Sequence, residues 1–168
     1  NDFDNDFAYV ETEDQLRSIK EIKQDMEGNR PMDRLLVGDV GFGKTEVAFR
    51  AAFKAIISGT QVALLCPTTL LARQHYEFLK KFYESSNIKV ELLVSSLPNK
   101  QKKEIVDKLR SGKIDVVVGT HALIQDEVNY QNLGLVITDE QHRFGVHQRA
   151  NLQNKGVTPD VLYMSATP

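Results

Sequence analysis

The sequence predicts an α/β domain, a doubly wound and mainly parallel sheet with helices on both faces. Three observations carry this. From residue 32 onward, strand-sized apolar segments alternate with helix-sized amphipathic ones. Several strand segments, among them Gln61-Val62-Ala63-Leu64-Leu65-Cys66 and Asp115-Val116-Val117-Val118, are continuously apolar, the pattern of strands buried on both faces. Between the first strand and the first helix of that series lies Gly38-Asp39-Val40-Gly41-Phe42-Gly43-Lys44-Thr45, which fits the G-x-x-x-x-G-K-[ST] spacing of a phosphate-binding loop.

The elements follow in order. Asn1 to Phe7 is acidic and of low complexity, and residues 1–8 read as a loose segment. Thr12 is an N-cap for a helix over 13–27, whose Leu16, Ile19, Ile22 and Met26 share one face. Gly28-Asn29-Arg30-Pro31 ends it. Strands are predicted at 32–37, 61–66, 89–95, 114–118, 133–138 and 160–165 from their apolar, β-branched content. Helices are predicted at 44–58, 69–83 and 99–111, with a shorter one near 146–153. Gly59-Thr60 and Ser111-Gly112 supply helix stops. The core is expected to close between Val37, Val47, Leu64, Val117, Ile137 and Tyr163.

Bulk properties narrow the class. A chain of 168 residues, 41% hydrophobic and 26% charged, suits one globular domain over 1–168. Its longest apolar runs are strand-sized, so no membrane-spanning helix is expected. Cys66 is the only cysteine, which excludes an intrachain disulfide, agrees with a reducing cytosol, and reads as a small buried filler. The four histidines do not show metal-ligand spacing. The chain does not begin with Met and reads as a piece of a longer protein. Net charge is −2, but residues 1–27 carry −6, so the remainder carries +4. A modestly positive surface there is compatible with phosphate contacts.

The loop carries specific chemistry. Glycines such as Gly41 and Gly43 let backbone N–H groups turn toward a phosphate, and the helix N-terminus adds its positive end. Lys44 can reach the β- and γ-phosphates, and the Thr45 hydroxyl can ligand Mg²⁺. Leu135-Val136-Ile137-Thr138-Asp139-Glu140-Gln141-His142 is an apolar strand ending in two carboxylates. Such a pair is often a plain solvated turn. In a phosphate-loop enzyme, Asp139 would hold Mg²⁺ through water and Glu140 would polarise the attacking water.

The loop followed by D-E-Q-H resembles the first motor domain of superfamily 2 helicases and translocases, a RecA-like domain. Other segments match in the order that family requires. Pro67-Thr68-Thr69-Leu70-Leu71-Ala72-Arg73-Gln74 is similar to its first nucleic-acid motif, and Gly119-Thr120-His121-Ala122-Leu123 to its second. Ser165-Ala166-Thr167 is similar to the motif that couples hydrolysis to domain movement, and Gln15 stands where the family places an adenine-reading glutamine. Residues 9–55 resemble the transcription-repair coupling factor family, and residues 119–168 the branched-DNA helicase RecG family. A divergent natural member, a chimera and a designed mosaic all fit that division.

The resemblance implies ATP and Mg²⁺ as ligands and sequence-independent contact with double-stranded or branched DNA through Thr68, Thr69, Arg73, Thr120 and His121. It implies coupling through His142, Ser165 and Thr167, and a second motor domain that supplies an arginine finger. RNA polymerase would be a partner if the protein is of the coupling-factor type. The expected setting is the bacterial cytoplasm, with a monomeric chain of little turnover on its own. Plainer roles stand beside these: helix capping for Thr68 and Thr69, solvation for Arg73, and loop packing for His121. His142 is either a link to the Ser165 strand or a surface histidine. Rivals from other classes are a nucleotide-binding or folding module without turnover and a small-molecule phosphotransferase, which D-E-Q-H and S-A-T disfavour.

Overall fold

The structure, a computed structural model, describes residues 33–37, 42–138, 152 and 158–165, with backbone alone for 33–37, 42–46 and 165. Strands run at Asp33–Val37 (β1), Gln61–Leu65 (β2), Val90–Leu93 (β3), Val116–Gly119 (β4), Leu133–Thr138 (β5) and Asp160–Ser165 (β6). Helices run at Phe42–Ile57 (α1), Thr69–Phe82 (α2) and Asn99–Arg110 (α3), with a 3-10 turn at His121–Ile124. All pairings among the described strands are parallel, in the order β1-β6-β5-β2-β4-β3. The expected doubly wound sheet is therefore wholly parallel over these residues.

Helices cover both faces. On one, α1 and α2 pack Val47, Ala48, Phe49, Ala72 and Leu79 against Leu64, Val118 and Ile137. On the other, Ile105 and Leu109 of α3 join Leu123, Leu152, Leu65 and Val117. The sequence expected one closing core, but the sheet divides it: Val47, Leu64 and Ile137 lie in the first layer, Val117 and the half-buried Tyr163 in the second. Cys66 is fully buried in the first layer, as a filler should be. Residues of strands alternate between faces, so a sheet buried on both sides needs apolar residues at successive positions, as Val62 to Leu65 of β2 and Val116 to Val118 of β4 supply.

Boundaries differ where side chains intervene. β4 begins at Val116 rather than residue 114, because Asp115 is used to tie Lys89: its carboxylate accepts from Lys89 N at 2.8 Å, while Lys89 O accepts from Asp115 N at 3.0 Å. α1 ends as expected, at Gly59 with φ of +91°, a left-handed conformation that glycine adopts without a steric penalty. The predicted helix over 13–27 lies outside the described residues, as does that near 146–153 apart from Leu152, which is helical and buried.

Candidate nucleotide and nucleic-acid site

Because the strands are parallel, their C-terminal ends share one edge. A four-residue connection, 38–41, leads from β1 into α1, so Gly43, Lys44 and Thr45 occupy the first turn of that helix. α1 starts two residues earlier than predicted and is braced by burial. Its Ala48, Ala51, Ala52 and Ala55 allow close approach to the sheet, and Phe49 meets Phe78 and Phe82 with ring centroids 5.5 and 5.4 Å apart. The Tyr83 hydroxyl donates to Phe49 O, and burial pushes its pKa above the ordinary tyrosine value, so it remains a donor.

β6 lies beside β1 with Ser165 in register with Val37. The strand of the expected coupling motif thus ends next to the strand that enters the phosphate loop. β5, whose last residue Thr138 precedes Asp139, is the next strand in the sheet and pairs Thr138 with Tyr163. The start of α1 follows the C-terminal end of β1 in the chain, at the sheet edge where β5 and β6 also end. Gln15, Gly41, Asp139, Glu140, His142 and Thr167 lie outside the described residues. Among the described residues, no group of three His, Cys, Asp or Glu forms a metal site, and no helix is long and apolar enough to cross a membrane.

The nucleic-acid motifs reach the same edge. Thr68 caps α2, its hydroxyl accepting from Leu71 N at 3.2 Å, and it is exposed, so its O–H is free to donate outward. Capping and phosphate contact are thus compatible in one side chain. Thr69 is half-buried and Arg73 is exposed. Leu70, which sequence reasoning passed over, is 67% exposed between them. Thr120 is buried rather than presented to solvent, while His121 is exposed at the start of the 3-10 turn. The half-buried Tyr130 holds that turn, its hydroxyl donating to Leu123 O at 2.7 Å, with its pKa raised by burial. No sequence signal marked Tyr130, which lies in an irregular segment seven residues from its partner. A groove of about 510 Å³ opens at the opposite edge, by Tyr76, Lys80, Lys89, Lys108 and Lys113, and is separate from this site.

A parallel sheet with α1 and two threonine-bearing turns at its C-terminal edge is the architecture of a RecA-like α/β domain. The DEAD/DEAH box helicase family model matches residues 12–168, and the chain belongs to that family, as a first motor domain of superfamily 2. It is 53% identical over 167 residues to the transcription-repair-coupling factor of Bacillus subtilis (strain 168), covering 99% of this chain and 14% of that protein. It is 55% identical over 157 residues to the ATP-dependent DNA helicase RecG of the same organism, covering 94% of this chain and 23% of RecG. A structure of RecG bound to a three-way DNA junction matches with a TM-score of 0.89 at 47% identity, over 99% of this chain and 22% of that one. The DUF1998 helicase MrfA shares the fold, with a TM-score of 0.72 at 14% identity over 97% of this chain and 28% of that one. Both families expected from the sequence are thus relatives, and each match runs along nearly the whole chain. The chain spans less than a quarter of either curated relative.

Proposed function

We propose that this chain is the ATP-binding first motor domain of an ATP-dependent double-stranded DNA translocase that serves DNA repair or recombination in the bacterial cytoplasm. One observation carries the reading: the phosphate-loop helix, the strand leading to Asp139, the strand ending at Ser165 and both threonine-bearing turns meet at one sheet edge. In this reading Gly41, Gly43 and Lys44 bind the phosphates, and Gln15 reads the adenine. Thr45 and Asp139 hold Mg²⁺, which neutralises phosphate charge when bound. Glu140 polarises the attacking water, and His142 links that strand to Ser165 and Thr167. Thr68, Thr69, Arg73, Thr120 and His121 grip DNA phosphates or the turn that meets them, which positions DNA without reading its bases. RNA polymerase joins the partners if the protein is of the coupling-factor type.

Superfamily resemblance assigns the arginine finger to a second motor domain, and a finger is worth about 10³–10⁵ in rate. The isolated chain, a monomer, should therefore bind nucleotide weakly and hydrolyse it near background. ATP turnover measured with and without duplex DNA tests this. Low turnover in both conditions, joined to DNA affinity that falls steeply with salt at about −0.9 per phosphate contacted, is the expected result. Robust DNA-stimulated turnover by the monomer would show that no second domain is needed. A strong preference for one duplex sequence would contradict a translocase.

A further inference from the structure

β3 closes the strand order at one end, and no described strand lies beyond it. Val116 N donates to Lys89 O at 3.0 Å, which turns Lys89 and, two residues on, Glu91 toward β4. The N–H and C=O groups of Val90 and Leu92 therefore point to the outer edge, where a further strand can pair with them. The groove of about 510 Å³ opens at this edge and is lined by Val90 and Glu91. Its α2 side is apolar, with Tyr76 and Ile88 packed on the first core layer. Its α3 side carries Lys108 and Lys113. In all, Lys80, Lys89, Lys108 and Lys113 line the groove against Glu84 and Glu91. Lys108 lies 3.9 Å from Glu91, whereas Lys89 and Lys113 form no ion pair among the described residues. Lys80 and Lys108 stand in last helical turns, where the helix dipole favours a cation. Lys89 and Lys113 lie outside the helices, so the dipole does not account for them. Lysines beside an open edge discourage chance pairing, but they favour a strand that brings carboxylates.

The chain's own sequence contains such a segment. Asn1-Asp2-Phe3-Asp4-Asn5-Asp6-Phe7 lies outside the described residues. In extended backbone, successive side chains point to opposite faces, so Asp2, Asp4 and Asp6 would share one face and Phe3 and Phe7 the other. The groove is divided in the same way, cationic toward α3 and apolar toward α2. We propose that residues 1–7 pair with the outer edge of β3, with the aspartates toward Lys108 and Lys113 and the phenylalanines toward Tyr76 and Ile88. The connection is long enough. The groove lies where β3 and β4 begin, and in a parallel sheet Asp33, which begins β1, is on that same edge. β1 and β3 are five strand spacings apart in the sheet order, about 24 Å. Residues 8–32 join the segment to β1. The helix predicted over 13–27 would be about 22 Å long, and the ten residues flanking it would span up to about 33 Å.

Amide exchange in the full chain tests this. Val90 and Leu92 should exchange slowly in wild type and about ten-fold faster once Asp2→Lys, Asp4→Lys and Asp6→Lys are combined, the scale of one lost hydrogen bond. Leu64 in the buried strand β2 should exchange at the wild-type rate, which shows that the fold is kept. Lys108→Glu with Lys113→Glu should quicken the same two amides, and joining those changes to the aspartate variant should slow them again. A second measurement needs no variant. Zero-length cross-linking of carboxylates to amines, in a mixture of isotope-labelled and unlabelled wild-type chains, should join residues 2–6 to Lys108 or Lys113 within one chain. Exchange at Val90 and Leu92 that is the same in wild type and the aspartate variant overturns the proposal. So do cross-links found only between chains, which would make a second copy the occupant, and protection of these amides that appears only with added duplex DNA, which would make it nucleic acid.

Discussion

Gln61 heads β2 with a buried amide whose bonds reach far along the chain. Its Nε2 donates to Leu109 O at 3.0 Å and to Ile114 O at 2.9 Å, and its Oε1 accepts from Asn132 N at 2.9 Å. Three connections at the edge away from the nucleotide site are thereby pinned together. Gln61→Met preserves bulk but orphans these groups, and each buried orphan costs about 1–3 kcal/mol. Urea unfolding should show a loss of about 2 kcal/mol or more, with nucleotide affinity unchanged. Nothing in the sequence revealed this residue, since a glutamine before an apolar run reads equally as a solvated strand start and its partners are 48 to 71 residues away. The proposed phosphate loop stands out in the sequence because its pattern is local, eight consecutive residues from Gly38 to Thr45.

At the scale of elements, α1, α2, α3 and all six strands were legible from apolar periodicity, within a few residues at their ends. The 3-10 turn at His121–Ile124 was not, because four residues are too short to show a period and its seat is made by Tyr130 and Gly119. Tyr130→Phe removes the bond to Leu123 O. Amide exchange at Leu123 should quicken, stability should fall by about 1 kcal/mol, and duplex DNA should bind a few-fold more weakly, while Mg·ADP binding is retained. The α1–α2 contact makes a pH prediction. Burial raises the pKa of Tyr83 above its usual 10.0, so the folded chain keeps a proton that the unfolded chain releases. The stabilising contribution is full below about pH 10 and is lost as pH rises beyond it. Tyr83→Phe should flatten the decline in stability measured between pH 9 and 11.

Across the whole molecule, β1 and β6 form one ladder although they lie more than a hundred residues apart in the chain, in the segments 9–55 and 119–168 that the sequence alone divided between two families and that both relatives match along nearly their whole length. Asp33 through Val37 pair with Val161 through Ser165 without a register shift. Volume-conserving exchanges between such relatives usually cost less than about 1.5 kcal/mol, so the two segments should unfold together. Calorimetry should give one thermal transition; two would show that the segments do not share a core. The parallel sheet was legible from its doubly apolar strands, whereas the strand order, which brings Ser165 beside Val37, was not, because pairing between distant segments leaves no local pattern.

The nucleotide site is the claim on which the rest depends, and calorimetric titration of Mg·ADP into wild type, Lys44→Ala and Glu140→Gln tests it most directly. In the proposed site Lys44 serves the phosphates rather than the core, so its loss should abolish binding or weaken it severely without unfolding the chain. Glu140→Gln keeps shape and hydrogen bonding, loses only the carboxylate that polarises water, and should bind as wild type does. No binding by wild type, or an equal loss of affinity in both variants, would contradict the account.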